Sequence, residues 1–109
     1  MKIYIAGPMT GMPEFNYPAF REAAQRLRNA GMTVVSPVEI GEKYGTAEEI
    51  NAVPAKLENL ILEELDALAT CDAIYLLPGW QRSAGTRNEL RLALSLKLEI
   101  LVEGSEVTK

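Results

Sequence analysis

The sequence predicts an α/β fold, a three-layer sandwich of flavodoxin- or Rossmann-like type around a four-stranded parallel sheet of order 2-1-3-4. Three observations carry this. Four short β-rich runs, KIYIA, MTVVS, DAIYLL and LEILVE, alternate with stretches whose apolar residues recur at helical spacing. Strands alternating with helices imply parallel pairing through right-handed crossovers, with helices on both sheet faces. The chain has 109 residues with 48% apolar content, enough for one core and too little for two. A single domain over residues 1–103 is expected, and the polar residues 104–109 are expected to fray.

Taken in order, KIYIA (2–6) reads as a buried strand that stops at Gly7 and Pro8 and feeds a loop to about residue 16. From Tyr17, the residues Phe20, Ala23, Ala24, Leu27 and Ala30 share one helical face, and Gly31 sits where a helix C-cap belongs. MTVVS (32–36) is a second strand, closed by Pro37. Residues 37–53, with Gly41, Gly45 and scattered glutamates, read as a long loop, either a lid or a surface segment with an extra turn. Pro54 suits the first turn of a helix to about residue 70. DAIYLL (72–77) is a third strand, residues 86–97 a last helix, and LEILVE (98–103) a fourth strand. In a sheet of this order, strands 1 and 3 are neighbours whose following loops diverge, and ligands bind at that switch point. The loops meeting there are residues 7–16 and 78–89.

Composition excludes several roles. A net charge of −4 argues against nucleic acid or an anionic membrane as partner, since both require a basic patch. No apolar run is long enough to span a bilayer and no basic segment precedes an apolar one, so a cytoplasmic location is expected. With no histidine and the single Cys71, there is no Cys/His ligand set. Acid/base or nucleophilic chemistry therefore falls to carboxylates, tyrosines or lysines.

Two carboxylates stand out. Thr86 and Glu89 fit a T-x-x-E capping box, which would make Glu89 a helix cap, yet this helix start lies at the switch point. On the preceding helix Leu57, Leu60, Ile61, Leu65 and Leu68 form the apolar stripe, and Glu64 falls inside it. Such a carboxylate must be paired, be neutralised, line a polar cavity, or snorkel from the stripe's edge. Asp72, at the opposite strand end, suits a turn or capping role. Tyr4 is either core or a hydroxyl reaching the cavity, and Trp80 either stacks on a ligand base or anchors its loop. The small-residue loops, Gly7, Pro8, Met9, Thr10 and Gly11 in one and Ser83, Ala84 and Gly85 in the other, are candidate anion sites, the second at a helix N-terminus. Neither matches a dinucleotide or Walker motif. Arg82 and Arg87 flank the second loop and would favour an anion there, or are solvated surface charges.

Together, IYIAGPMTG (3–11), CDAIYLLPGW (71–80) and SAGTRNELRLAL (83–94) resemble the nucleoside 2-deoxyribosyltransferase superfamily, and most closely its small phage and bacterial DUF4406-like branch. The resemblance runs to about residue 102. It implies Glu89 as nucleophile and Glu64 as the group assisting at sugar and base, where the family has an aspartate one methylene shorter. It also implies ligand contacts from Tyr4 and Gly7. Ser83 stands where nucleotide-hydrolysing members carry a serine and nucleoside-specific ones an aspartate, and Thr10 stands where phosphate-binding members tend to carry an arginine. The implied activity is cleavage of the N-glycosidic bond of a nucleoside or its 5′-monophosphate through a covalent glycosyl-glutamate, without cofactor. The second reading is a non-catalytic nucleotide-binding or sequestering module, and a third is a structural or interaction role. The family also implies a homodimer or larger homo-oligomer, with which the nearly all-apolar last helix (Leu90, Leu92, Ala93, Leu94, Leu96) agrees.

Overall fold

In the computed structural model, which describes residues 1–104, KIYIA forms β1 (Lys2–Ala6), buried along residues 3–6. Burial on both faces is what an interior strand of a parallel sheet requires. β2 (Thr33–Val35), β3 (Ala73–Leu76) and β4 (Glu99–Val102) complete a sheet of order β2-β1-β3-β4 in which every pairing is parallel. The architecture and order are those the sequence predicts. β1 matches its run in full, and β2, β3 and β4 are each one residue shorter at either end than the runs that mark them. The expected frayed tail lies, from residue 105 on, outside the described residues.

The two-residue period of the strands divides the core into two layers. Ile3, Ile5, Tyr75 and Leu77 pack with Phe20, Ala23 and Ala24 of α1 (Tyr17–Asn29). Tyr4, Ala6, Ile74 and Leu76 pack on the other face with Leu68 of α4 (Pro54–Ala69) and Ala93 of α5 (Ala84–Ser95). Strand parity therefore sends the Tyr4 side chain toward α4 and α5. α1 stops as its glycine predicts: Gly31, at φ +91°, donates its N–H to the Arg28 carbonyl (2.9 Å), and Met32 donates to that of Leu27 (3.0 Å), a Schellman closure. At the far end of the sheet the Asp72 carboxylate accepts the Lys2 backbone N–H at 2.8 Å, tying β1 to the start of β3.

Residues 37–53 correct the sequence reading, because they are not a loop. They fold into α2 (Pro37–Gly41) and α3 (Ala47–Ala52), both packed on α4. Ser36 caps α2 by accepting the Val38 N–H. Thr46 and Glu49 form a complete capping box at α3: the Thr46 hydroxyl accepts the Glu49 N–H and the Glu49 carboxylate accepts the Thr46 N–H. Helices of five and six residues are too short to display a period, so only their caps mark them in the sequence. Among the described residues no helix is long and apolar enough to cross a membrane.

Candidate active site

At the switch point, β1 ends at Gly7 beside Leu77. A Cβ on residue 7 would stand 2.8 Å from the Leu77 Cβ, closer than real carbon atoms approach, so glycine is what lets the two chains leave the sheet side by side. Beyond them the loops part around a cavity of about 780 Å³, the size of a small-molecule site. Its floor comes from the loop after β1, with Gly7, Met9, Thr10 and Gly11, and from the start of α5, with Ser83, Gly85 and Glu89. Its wall comes from α3 and α4 and includes Glu64.

Glu89 does not cap α5. The helix begins at Ala84, with Ser83 as N-cap, so Thr86 lies inside the first turn and Glu89 a full turn beyond it. The Ser83 Oγ accepts the Thr86 N–H (3.2 Å) and the Thr86 hydroxyl (3.0 Å), so the cap is closed without a glutamate. Glu89 is free to turn to the sheet, where its Oε2 accepts the Tyr4 hydroxyl at 2.6 Å. Burial pushes the Glu89 carboxyl up to about 7 against the opposing effect of the Tyr4 hydrogen bond.

Glu64 lines the same cavity half-buried, so the stripe-edge glutamate turns inward and not out to water. Burial first, then the negative charges of Glu89 and Glu63, push its carboxyl up to about 8. Tyr4 is raised well above the ordinary tyrosine value by burial and by Glu89 and Glu64, which keeps its hydroxyl protonated as a donor. Two carboxyls with a tyrosine donor on one of them can divide acid and base work near neutral pH.

Of the alternatives the sequence left open for Tyr4 and Trp80, the structure favours the core and loop-anchor readings. Tyr4 is wholly buried and sits beneath Glu89, off the cavity wall, because its strand parity buries it in the α4/α5 layer. Trp80 also lies off the cavity. Gly79, at φ +86°, turns the chain into a short 3₁₀ turn (Trp80–Arg82), and the indole packs against the layer containing Tyr4 and Leu68, so it anchors the loop. The wall residues Ala47, Ile50 and Asn51 of α3 went unrecognised in the sequence, although the Thr46-x-x-Glu49 box marks their helix. Phe15 and Tyr17 line the cavity too. Phe15 stands in a turn in which Glu14, Phe15 and Asn16 all take left-handed φ values of 52–62°, a conformation common enough for asparagine but one that glutamate and phenylalanine rarely adopt.

A family model described as "Domain of unknown function (DUF4406)" matches residues 1–102. The chain belongs to the DUF4406 family. No curated protein matches it. Among solved structures, this DUF4406 chain is similar to a 2-deoxyribosyltransferase from Bacillus psychrosaccharolyticus, at 24% identity and a TM-score of 0.71, over 94% of this chain and 71% of that one. It is also similar to a CMP N-glycosidase from Clostridium botulinum, at 20% identity and a TM-score of 0.60, over 94% and 70% of the two chains. At these identities the likeness establishes a shared fold, in accord with the resemblance seen in the strand-end motifs.

Proposed function

We propose that this DUF4406 chain cleaves the N-glycosidic bond of a nucleoside or nucleoside 5′-monophosphate. The observation that carries the reading is the pair Glu64 and Glu89 in one cavity at the switch point, with Tyr4 hydrogen-bonded to Glu89. The two similar enzymes of the same fold, a 2-deoxyribosyltransferase and a CMP N-glycosidase, support it. Tyr4 occupies Oε2 of Glu89, leaving Oε1 to attack the anomeric carbon C1′. The C1′–N bond breaks, its electron pair passes to the base nitrogen, and protonated Glu64 delivers a proton to the base, directly or through water. Water or a second base then attacks C1′, gives up its proton to Glu64 and releases Glu89.

The phosphate end of a nucleotide suits the start of α5. The Ser83 Oγ already accepts two hydrogen bonds, which leaves its own hydrogen to donate to an anion. Gly85 lies in the first helical turn, where amides lack intrahelical partners, and the Arg82 side chain lines the same stretch. The arrangement favours a 5′-monophosphate over a nucleoside.

The test is to incubate the protein with deoxynucleosides, ribonucleosides and their 5′-monophosphates, and to follow base release by chromatography. Release is expected, lost by at least about a thousandfold in Glu89→Gln, as for removal of a covalent nucleophile. Tight binding without release would replace the glycosidase with a sequestering module. Release unaffected by Glu89→Gln would remove Glu89 from the chemistry.

A further inference from the structure

Among the described residues that line the cavity, Glu64 and Glu89 are the carboxylates and Arg82 is the one cation. Beside the cavity, and sharing Phe15, Tyr17 and Ala47 with it, lies a hollow edged by Glu14, Glu42, Glu48 and Glu49. The charge across the site is therefore uneven: negative toward α2 and α3, and positive where the short turn after Gly79 runs into α5. An anion is repelled from the first end and meets a guanidinium at the second.

Arg82 is also the arginine left without a partner. Arg21, Arg26 and Arg28 are ion-paired with Glu42, Glu103 and Glu39, Arg87 donates to the Gln81 carbonyl, and Arg91 donates to the Asn88 side chain. The Arg82 guanidinium makes no hydrogen bond or ion pair with any described residue. Its place is nonetheless defined. The Arg82 backbone N–H donates to the Gly79 carbonyl at 3.1 Å, within the turn that Trp80 anchors. The side chain folds back over Gly79, where a Cβ would stand 2.9 Å from Nη2 of Arg82 and 3.4 Å from Cγ of Pro8. The guanidinium and the Pro8 ring thus meet at one spot, between the loops that leave β3 and β1, and both residues line the cavity. The loop after β1, from Gly7 to Gly11, carries no charge, so an anion held between the two loops takes its counter-charge from Arg82. A guanidinium forks two N–H groups onto two oxygens of a terminal phosphate, and the Ser83 hydroxyl and Gly85 amide are neutral donors for the third.

We propose that Arg82 is a specificity-determining residue that recognises a terminal 5′-phosphate and makes the site select nucleoside 5′-monophosphates over nucleosides. The inference rests on the nucleotide reading above and names the side chain that enforces it. A nucleoside presents only a 5′-hydroxyl to that spot and leaves the guanidinium unpaired.

The experiment compares matched pairs, dCMP with deoxycytidine and dAMP with deoxyadenosine, by calorimetric affinity for the non-cleaving Glu89→Gln protein and by kcat/KM for base release from the active one. The nucleotide of each pair is expected to be favoured, and Arg82→Ala is expected to cut the nucleotide-to-nucleoside ratio by at least about tenfold, the scale of charge-assisted hydrogen bonds lost. Arg82→Lys, which keeps the charge without the fork, is expected to recover part of the ratio. Raising salt from about 0.1 M to about 1 M shortens the Debye length from about 10 Å to about 3 Å. That change is expected to lower the ratio in the unaltered protein and in Ser83→Ala, and to leave it nearly level in Arg82→Ala. A ratio that Arg82→Ala leaves in place, an undiminished salt dependence in that variant, or equal handling of nucleotide and nucleoside by the unaltered protein would each overturn the assignment, while base release from either member keeps the glycosidase reading intact. Absence of both cleavage and binding for all four compounds would overturn the two together.

Discussion

Glu89 is held by one hydrogen bond from a tyrosine that solvent never reaches. That bond lowers a carboxyl that burial raises, so Tyr4→Phe is expected to lift Glu89 above its value of about 7. The acid limb of the base-release pH profile then moves to higher pH, and the rate at pH 6.5 falls about tenfold. An unmoved acid limb would separate Tyr4 from the titration of Glu89. Glu64 makes a second prediction, read in stability. Its folded value of about 8 lies above the ordinary glutamate value of 4.5, so the folded state holds a proton that the unfolded chain has lost. The stability linked to Glu64 is complete below about pH 4.5 and drains away as pH rises through about 8. Glu64→Gln removes that dependence, and denaturant melts at pH 8.5 are expected to show the variant more stable by roughly 2 kcal/mol, with little difference at pH 5. Glu64 was legible in the sequence because helical spacing set a carboxylate in an apolar stripe. Asn51 was not, since the six-residue α3 that sets it on the cavity wall is too short to show a period.

At the scale of elements, the legible parts are those whose signal is periodic. β1, α1 and α4 repeat their apolar pattern long enough to be read, and Gly31 and Pro54 mark a stop and a start. α2 and α3 escape because their information lies wholly in caps. The start of α5 is displaced by a competing signal, since Thr86-x-x-Glu89 imitates a capping box while Ser83 is the residue that closes the helix. Ser83 thus holds two positions at once, helix cap and candidate phosphate donor, and one substitution tests both. Ser83→Ala is expected to cost about 1 kcal/mol of stability through loss of the cap. It is also expected to raise KM for a nucleoside 5′-monophosphate several-fold more than KM for the matching nucleoside. Equal changes in the two KM values would leave Ser83 as a cap and nothing else.

At the scale of the whole molecule, the sheet order is the most legible feature, because alternating elements and right-handed crossovers leave few ways to arrange four strands. What one chain cannot bury is equally telling. α4 and α5 pack against each other, and each leaves large apolar side chains in solvent: Ile61 (45% exposed) and Leu62 (60%) on α4, Leu94 (58%) on α5 and Leu96 (45%) just past its end. Ile61 also lines the cavity, so apolar surface continues from the rim of the site onto the outside of the molecule. Large apolar side chains left exposed on neighbouring helices, one of them at the rim of the site, suit a surface that another molecule covers. We propose that a second copy of the chain covers it, which would also exclude water from the α4 side of the cavity. Sedimentation velocity at tens of micromolar is expected to show a dimer or larger assembly. Leu62→Glu and Leu94→Glu are each expected to shift it to monomer while the far-ultraviolet circular dichroism stays unchanged, because neither side chain contributes to the interior. A protein that sediments as a monomer across this range would assign the exposed leucines to the isolated chain and leave the cavity open to solvent on that side.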